Sequence, residues 1–324
     1  MTGKTWTYES RPANKFNLPC PVYKQPEEIA CFSNDEQRRF VFGDQELRYY
    51  YPPDLVGDLN DGFDDRYVQR DRGLPDHLDG LLATLVQVRE REPARRAATQ
   101  ADVMCYRGVM TRIMCTPYER RDAWELGGTL YIEEHESEPK RRQRINATRR
   151  QDMMGYWGYK FEALSTVSKP PHLLKPNDPE LRERKRSVVN TNAQYCSVFR
   201  SRLGNHSVIM GAEVDCTAEE KRADRPMAGY VELKTSRALH TERDHYFFAR
   251  NKMLKFWAQS FLASVPKVIV GFRDDRGYVR SVKTYETMEI PRKVRDKPDM
   301  WQANVCLNFA DHFLRWLRSI VTID

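Results

Sequence analysis

The chain has 324 residues, enough for a sizeable core in one large domain or two small ones, and one domain is expected. Lys and Arg outnumber Asp and Glu by 53 − 46 = 7 and the pI is near 9.0, which suits a polyanionic partner as well as it suits an ordinary basic soluble protein. Seven cysteines, an odd number without a CxxC, argue against a disulfide framework or a zinc site and point to a reducing compartment. No segment approaches the ~18 apolar residues of a membrane span, and the start lacks the apolar core of a secretory signal.

Residues 1–30 carry Pro12, Pro19, Pro21 and Pro26 with little periodicity, so an extended lead-in wrapped over the body is expected, with 31–324 forming a single domain. Residues 38–51 (RRFVFGDQELRYYY) divide around Gly43-Asp44 into two alternating runs, which predicts a β-hairpin ended by Pro52-Pro53. Leucines and valines at helical spacing predict a helix over 78–91, with Asp76 near its start as a cap. Residues 105–114 are apolar with basic punctuation, 129–134 alternate like an edge strand, and the Arg/Lys-dense 140–150 reads as a solvated helix face. A helix is predicted over 149–164 despite Gly155 and Gly158, with Met154, Trp157, Phe161 and Leu164 on its buried side. The Pro-rich, charged 168–189 predicts a surface loop. Strand patterns follow at 195–200, 207–217 and 229–236, then a helix over 245–262, a hairpin over 267–285 turning at 274–277, and an amphipathic helix over 301–321. Strands and helices alternate without a strict βαβ repeat, which predicts a mixed α/β sheet.

Two acidic tripeptides, Glu213-Val214-Asp215 and Glu232-Leu233-Lys234, each lie in a strand-like run. With period 2, Glu213 and Asp215 share one face, as do Glu232 and Lys234. If the strands are neighbours, three carboxylates and an ammonium converge. Two carboxylates ~4 Å apart repel by roughly 4 kcal/mol at an effective dielectric of about 20. A hard divalent metal relieves that repulsion, takes oxygen ligands and shares its shell with phosphate, which is the logic of phosphodiester hydrolysis. The bland alternative is an exposed strand face with Glu–Lys cross-strand pairs. Glu162 is a third candidate acid, or else a solvated helical Glu. Lys255 and Gln259 share a face of the 245–262 helix, where Gln259 would bond a phosphate, a metal-bound water or simply the backbone. Arg107 offers a fork donor to phosphate, although most arginines reach solvent. No GxxxxGK[ST] loop, Ser/His/Asp arrangement or histidine ligand spacing is present.

Taken together, CYRGVMTRIMCTPYE, GYWGYKFEAL, VNTNAQYCSVFRSRLGNHSVIMGAEVDCT, YVELKTS and KMLKFWAQSFLASVPKVIVGFRDDRGYV resemble the decapping exoribonuclease (DXO) family. The Arg182–Arg186 run (RERKR) in its Pro-rich insertion is most like the fungal nuclear member that partners the XRN-class 5′→3′ exoribonuclease. The resemblance implies a single α/β domain of two mixed β-sheets with flanking helices, related to the PD-(D/E)xK nucleases, with a pocket between the sheets for an RNA 5′ end. It implies that Glu162, Glu213, Asp215, Glu232 and the carbonyl of Leu233 hold two Mg²⁺ or Mn²⁺ ions. Arg107, Lys234 and Gln259 would then meet the substrate. The implied reaction turns 5′-triphosphate, unmethylated-cap or NAD-capped RNA into 5′-monophosphate RNA, with 5′→3′ exoribonuclease activity in some members. The implied location is the nucleus, with the cytoplasm open. A different reading is a mainly non-catalytic protein that stabilises an XRN-class exoribonuclease. The chain stops at Asp324, where members of the family continue through further strand sequence, which suggests a C-terminal truncation.

Overall fold

The structure, a computed structural model, describes residues 6–55, 57–71, 73, 77–119, 131–133 and 137–321. In chain order the strands are β1 (Tyr23–Asn34), β2 (Phe40–Phe42), β3 (Tyr49–Tyr50), β4 (Tyr67–Val68), β5 (Val103–Tyr106), β6 (Tyr131–Ile132) and β7 (Thr166–Val167). They continue with β8 (Val189–Asn190), β9 (Gln194–Leu203), β10 (His206–Glu213), β11 (Cys216–Thr217), β12 (Tyr230–Arg237), β13 (Lys267–Arg273) and β14 (Val279–Glu286). One mixed sheet has the order β2-β1-β9-β10-β5-β6, the other β14-β13-β12-β11-β3-β7, and β4-β8 stand apart. This is the expected α/β fold of two mixed sheets with flanking helices.

The longer helices bury a stripe of apolar residues that recur at helical spacing. Helix α1 (Asp79–Arg91) buries Leu81, Leu85 and Val88 against Phe32 and Ile209 on the outer face of the first sheet. Asp76 lies outside the described residues; the Leu78 amide at the helix start is instead capped by Glu133 Oε1 at 2.8 Å. Helix α2 (Arg107–Cys115) follows β5 directly, while α3 (Glu138–Ile145) buries none of its side chains. Helix α4 (Arg149–Leu164) opens on a capping box, Thr148 with Gln151, and has the bounds the periodicity predicts. Its buried face holds Tyr156, Trp157, Lys160, Phe161 and Leu164, but Met154, expected inside, is exposed one step past that stripe.

Residues 168–189 form the mostly exposed surface segment expected, with short helical turns at Pro171–Leu173, α5 (Pro179–Glu183) and Arg184–Arg186. The predicted 245–262 helix is three segments: α6 (Glu242–Phe247), a π turn (Phe248–Lys252) and α7 (Met253–Leu262). After α8 (Ile290–Val294), helix α9 (Ala303–Ile320) packs Phe309, Phe313 and Leu314 into the main core, which lies between the sheets and includes Met210, Val268, Val270 and Trp257.

Two expectations fail on pairing. Residues 38–51 do not form a hairpin: β2 pairs with β1 in one sheet, whereas β3 pairs with β7 and β11 in the other. Gly43, at φ +118°, does turn the chain, but toward the second sheet. Alternation shows a strand's faces and not its neighbour. The lead-in joins the sheet before its expected end, since Tyr23–Asn34 pairs along β9, and a 3-10 turn at Ala13–Phe16 interrupts it upstream. Upstream, Tyr8 packs on Phe309 and Phe313, and Asn308 Nδ2 donates to the carbonyls of Phe16, Leu18 and Pro19.

Candidate active site

The two tripeptides meet where the chain crosses between the sheets, and only the end of the first predicted run pairs with the second. Strand β10 ends at Glu213 in the first sheet, and β12 lies in the second. Between them Val214 and Asp215 carry the chain across, so that Cys216 pairs with Val231 in the second sheet. Glu213 and Asp215 therefore stand at the crossover, beside the face of β12 that bears Glu232 and Lys234.

The contacts are specific. Asp215 Oδ2 accepts from the Leu233 amide at 2.6 Å and stands 3.8 Å from Lys234 Nζ. Glu232, 1% exposed, is held on both oxygens: Lys234 Nζ and Gln259 Nε2 reach Oε1, and Arg107 Nη1 lies 3.3 Å from Oε2. Arg107, placed at the β5–α2 junction, also donates to the carbonyls of Glu213 at 3.0 Å and Gln259 at 3.3 Å. It is buried, with 6% of its surface exposed. Glu213, the most open of the acids, accepts from Gln194 Nε2 at 2.7 Å. Glu162 follows Phe161 on α4, and its electrostatic neighbours are Asp215, Lys234, Glu213 and Glu232. Lys255 is elsewhere: its ammonium pairs with Glu119 at 3.0 Å.

Electrostatics follow from four acids gathered with two cations. Burial, then Asp215, pushes the Glu162 carboxyl well above the usual range. Burial and then Glu232 push Asp215 up to about 7. Glu213 is raised by burial, with Glu232 adding to it against Arg107. Burial also acts to raise Glu232, but Lys234 and Arg107 outweigh it and the carboxyl lies low. Lys234 goes up because Glu232 and Asp215 outweigh its burial. Among the described residues no three His, Cys, Asp or Glu side chains already form a closed metal cage. Fully ionised, the six groups carry 4 − 2 = 2 net negative charges, and the four carboxylates are hard oxygen donors of the kind divalent cations take.

All of the residues singled out in the sequence for the site, Arg107, Glu162, Glu213, Asp215, Glu232, Leu233, Lys234 and Gln259, are thus in one place. Gln194 was missed. It lies on the same face as Glu213 across the β9–β10 ladder, a relation visible only once Glu213 is known to pair with Cys196. None of the seven cysteines is in a disulfide, and among the described residues no helix is long and apolar enough to cross a membrane.

The profile of the RAI1-like PD-(D/E)XK nucleases matches residues 24–324. The decapping nuclease RAI1 of Emericella nidulans is 41% identical over 97% of this chain and 87% of its own length. The human decapping and exoribonuclease protein is 40% identical over 95% of this chain and 78% of its own length. The crystal structure of Candida albicans Rai1 in complex with pU5-Mn²⁺ superposes with a TM-score of 0.85 at 27% identity, covering 98% of this chain and 87% of that one. A match that runs through every residue of the site, with relatives similar over nearly the whole chain, places this protein: it belongs to the RAI1-like PD-(D/E)XK nuclease family.

Proposed function

We propose that this chain hydrolyses the 5′ ends of RNA with the help of divalent metal ions, removing pyrophosphate from 5′-triphosphate ends and cap structures from unmethylated or NAD-type ends, and leaves 5′-monophosphate RNA. The observation that carries the reading is the convergence of Glu162, Glu213, Asp215 and Glu232 on Lys234 and Arg107 where the chain crosses between the sheets. Relatives support it: they are named decapping nucleases, Candida albicans Rai1 was crystallised with pU5 and Mn²⁺, and Scheffersomyces stipitis Rai1 with (3′-NADP)⁺ and a calcium ion.

In this reading the four carboxylates and the Leu233 carbonyl would hold two Mg²⁺ or Mn²⁺ ions, which would supply Lewis-acid polarisation of the phosphoryl group and a more acidic water. Lys234 supplies a fixed positive charge beside the reacting phosphate, kept protonated by Glu232 and Asp215. Arg107 has five N–H donors in a rigid fork; it anchors the Glu213 and Gln259 backbone and turns remaining donors to a phosphate oxygen. Gln259 Nε2 donates to Glu232, and its second N–H would donate to a phosphate oxygen of the substrate.

The test is turnover of 5′-triphosphate, unmethylated-cap, methylated-cap and NAD-capped RNA by the purified chain with Mg²⁺ or Mn²⁺. Asp215→Asn and Glu232→Gln are each expected to lose at least about 10²-fold in rate. Full turnover in both would overturn the site. Residence in the nucleus and association with an XRN-class 5′→3′ exoribonuclease belong to the same proposal, on the resemblance to the fungal member. Co-purification with that exonuclease, unaffected by the two substitutions, would mark a separate stabilising role; failure to co-purify removes it.

A further inference from the structure

Glu213 is gripped from outside the centre by one side chain, Gln194, which Arg38 holds in turn, and the reading above gives neither a role. Gln194 Nε2 donates to Glu213 Oε1 at 2.7 Å. Glu213 pairs with Cys196 across the ladder, so Gln194, two residues along β9, projects from the same face. An amide side chain can present either its nitrogen or its oxygen to a neighbour, and what grips the far end decides which. The far end here is Oε1, which accepts from Arg38 Nη1, the same nitrogen that donates to the Asn192 carbonyl at 3.1 Å. A guanidinium has donors only, so the amide oxygen must face Arg38 and the N–H must face the carboxylate.

Arg38 reaches this point from the turn between β1 and β2, closed by Arg38 N to Asp35 O at 2.9 Å and Asp35 N to Arg39 O at 3.0 Å. Its φ is +65°, in the left-handed region where glycine is the undemanding residue. A long cationic side chain at such a position runs against the preference of the turn itself, and its grip on Gln194 and Asn192 supplies a reason. The register agrees, since Asn34 at the end of β1 lies opposite Gln194.

We propose that Gln194 and Arg38 are positioning residues that aim the Glu213 carboxylate at a divalent cation: Arg38 fixes the amide, and the amide fixes the carboxylate. The inference rests on Glu213 being a ligand, as proposed above. Partners of metal-ligating carboxylates typically change metal affinity about 10–100-fold.

The experiment is titration of the full chain with Mn²⁺, followed by the electron paramagnetic resonance of free Mn²⁺, with thermal unfolding in parallel. Gln194→Leu is expected to weaken Mn²⁺ binding about tenfold or more with an unfolding midpoint close to the parent. Arg38→Gly suits the turn, frees the amide to rotate and is expected to weaken binding to a value between the two. Should Gln194→Leu fail to fold, Arg38→Gly decides alone. Glu213→Gln is the control. If it binds Mn²⁺ as tightly as the parent, Glu213 is no ligand and the reading beneath the inference fails. If Glu213→Gln weakens binding while Gln194→Leu and Arg38→Gly match the parent, only the positioning inference is overturned.

Discussion

Asp215 sets the charge state of the site. Its carboxyl is pushed up to about 7 in the ion-free protein, above its ordinary value of 3.8, first by burial and then by Glu232. A folded pKa above the unfolded one means that the ionised side chain destabilises the fold at high pH, a penalty that fades as pH falls from about 7 toward 3.8. Asp215→Asn should therefore raise the Tm of the ion-free protein at pH 8 by about 2–4 °C and leave it nearly unchanged at pH 4. Saturating Mn²⁺ should reverse the order at pH 8, because the ion stabilises only a site that holds it. An unchanged Tm at pH 8 without metal would refute the burial argument. Because protons and metal compete for the same oxygens, Mn²⁺ affinity should also fall between pH 8 and pH 6; isothermal titration at the two values measures it, and a pH-independent affinity would exclude Asp215 and Glu162 as ligands.

Helix α4 and strand β13 show how an element delivers a side chain. A Cβ on Gly271 would stand 2.4 Å from Phe161 Cε2, so β13 must carry no side chain there for α4 to lie down on the sheet. Phe161, fully buried, then fixes the rotation of the last turn of α4, and the next residue is Glu162. Gly271→Ala is expected to destabilise the fold by about 1–3 kcal/mol in urea unfolding and to lower turnover by displacing Glu162. Adding Phe161→Leu, which removes the ring from the contact, should restore part of both. A Gly271→Ala protein with parental stability and rate would show that this contact relaxes without moving the acid.

Across the whole molecule, the two sheets are tied together at a buried cluster of charged and phenolic side chains. Glu28 on β1 accepts from Ser197 Oγ at 2.7 Å and from Tyr230 Oη, on β12 of the other sheet, at 2.5 Å, while Lys221 Nζ lies 2.5 Å from its second oxygen. Tyr195 Oη shares hydrogen bonds with Tyr230 Oη at 2.6 Å and Lys221 Nζ at 2.8 Å. Removing one partner of such a pair leaves an unbalanced buried charge. Lys221→Met should cost about 3–5 kcal/mol in denaturant unfolding, and Glu28→Gln in the same protein should recover much of it, since the amide still accepts from Tyr230 and Ser197. If the double variant is no more stable than Lys221→Met, the charge is not the cause.

Local pattern was enough for what depends on near neighbours in the chain. The 3.6-residue spacing of Trp157, Phe161 and Leu164 placed α4, and alternation around Glu213 and Glu232 marked strands bearing acids. The quoted motifs, being shared along the chain, also pointed to the family. Partner choice was hidden, because a strand's side-chain period is the same whichever strand lies beside it: residues 38–51 therefore read as a hairpin although β2 and β3 belong to different sheets. For the same reason only the fold could show that the Glu213–Asp215 segment is a crossing between sheets, that Arg107 is buried among backbone carbonyls, and that Arg38 reaches Gln194 from 156 residues away. Sequence by itself determined which residue types carry the chemistry; tertiary structure decided their partners, since those contacts join segments that no local period relates.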